Sequence, residues 1–233
     1  MPNKAFKLEW DKTGERIYHL GTKRGVLYPM ANDGTYETGV AWNGLTGVEE
    51  NPDGAEPQDI WADNIKYASF RSPENHKGNI KAFTYPDEFK PCNGMISPTG
   101  MNGLTFGQQK RKAFGMCYRS EIGSDTDQEA GYILHLIYNA TVSPSSRSHA
   151  TKNENPDPEE MSWDYTSTPV NVTGIAGVET TSTVEISSLD FTVTQMAALE
   201  EVLYGTAASG SEAEVAPRLP APGEVYTILS NAT

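Results

Sequence analysis

The stretch Tyr132–Val142 constrains the fold most. Read with a period of two, one face carries Tyr132, Leu134, Leu136 and Tyr138, and the other Ile133, His135, Ile137 and Asn139. An extended chain puts alternate residues on opposite sides. Both sides here are largely apolar, so the segment predicts a central strand covered on both faces or at a subunit contact. A surface hairpin or an amphipathic helix would leave one side polar.

The surroundings agree. Gly21, Gly25, Gly34, Gly39, Gly44 and Gly47 leave no room for a long helix between residues 21 and 50, and a Pro- and acid-rich loop is expected over Glu49–Asp59. Short β-like runs follow at Ile60–Phe70 and Gly78–Tyr85, with a loop at Pro86–Gly103 and a further run at Ala113–Arg119. Ser143–Pro158 reads as a polar loop, and Met161–Tyr165, Pro169–Thr173 and Glu179–Val193 as extended segments. In the last, Val184 and Ile186 are expected to face the core, with Thr183, Glu185 and Ser187 pointing away. One helix is predicted, capped by Thr194, with Met196, Leu199, Val202 and Leu203 as its apolar stripe and Gly205 as its stop. Thr206–Pro222 reads as a linker, and Val225–Leu229 as a short edge strand. The organisation expected is one domain over residues 1–233, with an N-terminal arm at 1–24 and a C-terminal linker and tail at 206–233.

Charge is uneven. The chain has 233 residues and a net charge of −13. Residues 1–120 carry 15 basic and 14 acidic side chains, whereas residues 121–233 carry 3 and 17. Such a balance argues against non-specific DNA binding, which needs cations to displace phosphate counterions. Lys110-Arg111-Lys112 is too short a basic cluster to change that. No apolar run approaches 18 residues, and the charged segment Met1–Trp10 does not read as a secretory signal. Folding in the cytoplasm, reduced Cys92 and Cys117, and chance sequons at Asn139, Asn171 and Asn231 are the expectations.

No pattern encodes a reaction. His19, His76, His135 and His149 lack metal-ligand spacing, so no metal and no cofactor are expected. There is no Walker loop, GxSxG elbow or HExxH. Gly123-Ser-Asp-Thr-Asp-Gln-Glu lacks the glycine and terminal glutamate of a calcium loop and reads as an acidic hairpin tip. Glu160 and Asp164 would share one face of a strand, with Glu159 on the other; a solvated acidic face explains them better than a catalytic carboxylate pair.

Two blocks carry a resemblance. The first contains Gly25-Val-Leu-Tyr-Pro, Gly39-Val-Ala-Trp-Asn-Gly-Leu, Gly54-Ala-Glu-Pro, Ala62-Asp-Asn-Ile-Lys-Tyr and Ala82-Phe-Thr-Tyr-Pro-Asp-Glu-Phe. The second contains Gln109-Lys-Arg-Lys-Ala-Phe-Gly-Met-Cys-Tyr-Arg, Gly131-Tyr-Ile-Leu-His-Leu-Ile-Tyr-Asn-Ala and Ser162-Trp-Asp-Tyr-Thr-Ser-Thr-Pro-Val, and Pro217-Arg-Leu-Pro-Ala-Pro closes the series. In this order they resemble the major tail protein family of long-tailed, non-contractile bacteriophages. The resemblance implies a mostly β subunit, a tail-tube-like β-sandwich or half-barrel with one flanking helix and long loops and arms. It also implies stacked hexameric rings, other phage tail proteins as partners, a place in the virion tail, and DNA passing through without specific binding.

Under that reading Trp42, Asn43, Leu45 and Trp61 are candidate contacts between subunits or rings, with a core tryptophan in an ordinary turn as the equal alternative for Trp42. Asp125, Asp127, Glu159, Glu160, Asp164, Glu179, Glu185 and Asp190 are candidate lumen acids. The rival readings are another virion ring or decoration protein, and a carbohydrate-binding β-sandwich using Trp10, Trp42, Trp61 and Trp163.

Overall fold

The computed structural model describes residues 9–232 except 55, 72–73, 102, 150, 152–157 and 209–212. Residues 1–8 of the expected arm, and parts of the expected loop 143–158 and linker 206–222, therefore lie outside the described residues. Among those described, the elements in chain order are β1 (Ile17–Pro29), β2 (Val40–Trp42), β3 (Leu45–Glu50), β4 (Asp53–Gly54), β5 (Pro57–Ala62), β6 (Ile65–Arg71), β7 (Glu74–Asn75) and β8 (Lys77–Ala82), followed by a 3-10 turn at Asp87–Phe89. Then come β9 (Phe114–Ser124), β10 (Gly131–Val142), β11 (Met161–Ser167), β12 (Val170–Asn171), β13 (Thr180–Thr181), β14 (Thr183–Ser187), α1 (Val193–Tyr204) and α2 (Pro222–Asn231).

The protein is mostly β, as expected. Its main sheet is antiparallel, in the order β2-β1-β9-β10-β11-β8-β3, with β14 pairing along the first part of β10. The doubly apolar segment is thus the central strand β10. Its Leu134, Leu136 and Tyr138 pack under the helices, while Ile137, Ala140 and Val142 join the other core. A register shift between Ile137 and Ala140 makes the two sets compatible: Asn139 takes a φ of 45° and its N–H donates to Tyr36 Oη at 2.9 Å.

Two apolar clusters hold the sheet, one on each face. The inner one is aromatic: Trp42, Phe89, Phe114, Trp163 and Tyr165 are buried together, with Trp42 and Phe89 centroids 4.6 Å apart. The sheet curls so that its first strands approach its last. A Cβ on Gly25 in β1 would stand 3.0 Å from Leu45 Cδ2 in β3. The outer cluster joins Tyr28, Leu134, Leu136, Tyr138 and Ile186 to Met196, Leu199 and Leu203 of α1 and Val225 and Leu229 of α2. Tyr28 donates to the Leu203 carbonyl at 2.7 Å and Tyr138 to that of Pro220 at 3.0 Å, so neither buried hydroxyl is orphaned.

Several expectations need correction. The stretch Ile17–Arg24, placed in the arm, is the first half of β1 and pairs with β9. The expected loop 49–59 contains β4 and the start of β5. The cap of α1 is Thr192, in a capping box with Gln195, because Gln195 is the residue whose side chain reaches back to the cap N–H. The C-terminal tail contains a second helix where an edge strand was expected. Pro222 opens α2 with its fixed φ, and Val225 and Leu229, four apart, face the outer core. A Cβ on Gly223 would stand 2.0 Å from the Thr173 carbonyl oxygen, so this helix start sits directly against backbone. Tertiary burial overrides the β preference of Val225, Thr227 and Ile228.

Among the described residues no helix is long and apolar enough to cross a membrane. Cys92 and Cys117 are free and buried, and burial pushes each thiol up to about 12. Both behave as packed apolar side chains at neutral pH.

Candidate functional site

The hairpin β5–β6 is the most exposed apolar element. Among the described residues its strands pair only with each other, through Pro57↔Arg71 to Ala62↔Ile65, with a bulge beside Trp61. Asp63 and Asn64 connect them with φ of 51° and 60°, the two left-handed residues of a type I′ turn, whose twist matches that of the strands. Ile60, Trp61, Ile65, Tyr67 and Phe70 all face solvent, from 49% exposed at Ile60 to 75% at Tyr67. An ion pair within it, Lys66 to Asp59 at 2.7 Å, lies at the surface. An isolated two-stranded hairpin is marginal in water, so such a surface is suited to burial against something else.

A second apolar projection spans residues 95–107. Ile96 and Phe106 exchange both backbone hydrogen bonds at 2.9 Å, and Ile96, Met101, Leu104 and Phe106 are exposed.

The four candidate contact residues separate. Trp61 is exposed on the hairpin. Asn43 is exposed in the turn after β2, and Leu45 is half-buried against the inner core. Trp42 is only 3% exposed, and its Nε1–H donates to the Thr84 carbonyl at 2.9 Å. It is a core residue and not a surface anchor: the tight turn at Gly44 directs it inward onto Phe89 and Trp163. Trp163 is buried as well, so of the four tryptophans considered for sugar stacking only Trp10 and Trp61 reach solvent.

The eight candidate lumen acids do not share one face. Asp125 and Asp127 lie in the turn joining β9 to β10, where Asp125 accepts from the Gly14 N–H at 2.9 Å and Asp127 from the Glu129 N–H at 2.9 Å. The expected acidic hairpin tip is therefore present. Glu160 and Asp164 lie at the other end of β10, roughly 35 Å away at about 3.3 Å per strand residue. Glu159 contacts His149 at 3.0 Å, and Glu179 and Asp190 are exposed in connections. The separation follows from topology: strands of the first half, β1, β8 and β3, flank strands of the acidic second half on both sides. An asymmetry along the sequence is thereby mixed in space.

One coherent polar face does form. On β8, Gly78, Ile80 and Ala82 are buried while Lys77, Asn79 and Lys81 point out. Asn79 donates to Asp164 at 2.7 Å, Ser162 to Asn79 at 2.9 Å, and Thr46 to Glu160 at 2.5 Å. Lys77 and Lys81 are held by Asp53 and Glu49. The outer side of β3, β8 and β11 is thus coated by hydroxyls, an amide and carboxylates, with its cations paired.

A third feature was invisible in the sequence. At one mouth of the curled sheet, Glu50, His135 and Glu185 offer one ligand atom each, all within 4.8 Å of one another. Val184 and Ile186 face the core as expected, which leaves Glu185 pointing away, directly across from His135. Tyr118 stacks on the His135 ring at 4.5 Å and 3°, and its hydroxyl donates to Glu50. Burial holds the imidazole below its ordinary pKa, against the pull of the two carboxylates.

No family model matches the chain, and no curated protein matches it in sequence.

Proposed function

We propose that the chain is a structural, non-enzymatic subunit of a phage tail tube, assembling as stacked hexameric rings in the virion tail and formed in the host cytoplasm. The observation that carries this reading is the β5–β6 hairpin, with five large apolar side chains turned to solvent and, among the described residues, no other strand paired with it. Exposed apolar patches of this kind mark surfaces that a second molecule covers. The projection at 95–107 gives each copy a second apolar element away from the first in sequence, as a head-to-tail contact requires; a self-complementary contact would stop at a dimer. The polar face of β3, β8 and β11 supplies a wall with little affinity for phosphate, since Glu160 and Asp164 repel it and both lysines are engaged. The lumen assignment thereby narrows to Glu160 and Asp164, with Glu49 and Asn79.

The test is negative-stain microscopy of the concentrated protein, beside its Trp61→Ala variant. Rings or tubes from the wild type, lost in the variant, are the expected result. A compact monomer at every concentration and salt would overturn the proposal.

A further inference from the structure

We propose that Glu50, His135 and Glu185 form a binding site for a divalent transition cation of the zinc class, with one nitrogen and two carboxylate oxygen ligands and the remaining coordination filled by water. The inference does not depend on the tube reading.

The geometry is the first support. His135 Nδ1 lies 3.5 Å from Glu185 Oε1 and 3.8 Å from Glu50 Oε1. Both are beyond an ordinary N–H···O hydrogen bond, which ends near about 3.2 Å. They are close to the edge of a ligand tetrahedron, about 3.4 Å when metal–ligand bonds are about 2.1 Å. The two histidine–carboxylate gaps need close only slightly around an ion, and the three ligand atoms together lie within 4.8 Å of one another.

The orphaned nitrogen is the second support. His135 Nδ1 is fully buried and has no hydrogen-bond partner among the described residues. A buried imidazole nitrogen without a partner is costly. The other nitrogen, Nε2, is 2.8 Å from Ser120 Oγ. When Nε2–H donates to that hydroxyl, the Nδ1 lone pair faces two carboxylates, an arrangement of three acceptors that a cation satisfies. A histidine ligand oriented through its second nitrogen is the usual outer-shell arrangement of a metal site. The stacked Tyr118 ring fixes the imidazole plane, and its hydroxyl holds Glu50 in place.

The third support is placement. Glu50 ends β3, the last strand of the sheet, whereas His135 and Glu185 are register partners on β10 and β14. A shared ion would clip the far edge of the sheet to its centre across the mouth. No spacing rule finds it, because the ligands come from three strands far apart in the chain. One nitrogen ligand among oxygens favours zinc-class ions over calcium or magnesium, which prefer all-oxygen shells.

The experiment is calorimetric titration of chelator-dialysed full-length protein with ZnCl2 and, in parallel, CaCl2, with thermal unfolding at each end point. One zinc per chain, a raised Tm and little response to calcium are expected. Glu185→Gln, at an exposed carboxylate, should fold normally and weaken zinc binding by more than about tenfold; His135→Gln should do the same if it folds. Glu159→Gln, beside the exposed His149, is the control and should leave binding intact. Absence of saturable zinc binding at one per chain overturns the proposal. So does unchanged affinity in Glu185→Gln, or a loss in Glu159→Gln, which would move the ion elsewhere. Equal affinity for calcium overturns the ligand set.

Discussion

The hairpins β5–β6 and β9–β10 obey the same local rules and end in opposite surroundings. Each is antiparallel, bulged and rich in aromatic and branched side chains. β9–β10 is covered on both faces, by the aromatic core inside and by α1 and α2 outside. Among the described residues, none covers the apolar side chains of β5–β6. Apolar content therefore says that a strand will be buried, but not by which molecule. The β9–β10 hairpin belongs to folding, and β5–β6, on the reading proposed above, to assembly.

The largest effect expected from that contrast is at Leu136, fully buried under the helices. Leu136→Ala should cost about 2–5 kcal/mol of subunit stability, from lost transfer energy plus a cavity. Urea denaturation of the monomer measures it; a change under 1 kcal/mol would mean that the helices do not cover β10 tightly. Trp61→Ala is the mirror experiment. Subunit stability should stay within about 0.5 kcal/mol, as for other exposed positions, while assembly weakens by about 2 kcal/mol or more per contact, the size of an interface hot spot. Sedimentation against concentration reads the second quantity. A variant that unfolds instead would show that the hairpin is part of the fold.

A smaller effect probes the turn. Asn64 holds a φ of 60°. Asn64→Gly should stabilise β5–β6 by up to about 1 kcal/mol, since glycine carries no left-handed penalty. Slower amide exchange across the pairs Gln58↔Phe70 and Ile60↔Ala68 is the readout, with no change in β9–β10.

The contrast also explains what was readable. β10 is legible as a strand because apolar residues on both faces fit a central strand or one at a subunit contact, and the two cores decide for the former. The stripe of α1 is readable for the same reason, whereas Thr194, the cap expected from sequence, lies two residues late because the capping box is closed by Gln195 on Thr192. α2 is not legible from sequence because Val225, Thr227 and Ile228 favour strands when taken alone, and only the packing of Val225 and Leu229 on the outer core decides. Trp42 fitted turn and interface equally until the turn direction was known. The Glu50–His135–Glu185 cluster was beyond local reading, since it depends on the register of β14 against β10 and on the curl that brings β3 across.

The smallest effect concerns how the cover over β9–β10 is fastened. Arg218 reaches Glu224, in the first turn of α2, with two parallel contacts: Nη1 to Oε2 at 2.9 Å and Nη2 to Oε1 at 2.5 Å. The Arg218 hydrogen bond holds the Glu224 carboxyl below its ordinary value, with the Arg218 charge and the Ala221 backbone adding to it. The sign follows from linkage. A depressed carboxylate binds its proton less readily folded than unfolded, so its contribution is complete above the unfolded pKa of about 4.3 and is lost as pH falls through the folded value. The pair is substantially exposed, which limits it to about 0.2–1 kcal/mol. Arg218→Ala should therefore lower stability by that amount at pH 7, and the wild type should converge on the variant as pH drops below 4. High salt should narrow the gap at pH 7 in the same direction. A difference that persists unchanged at low pH would assign the role of Arg218 to the packing of its aliphatic stem and not to its charge.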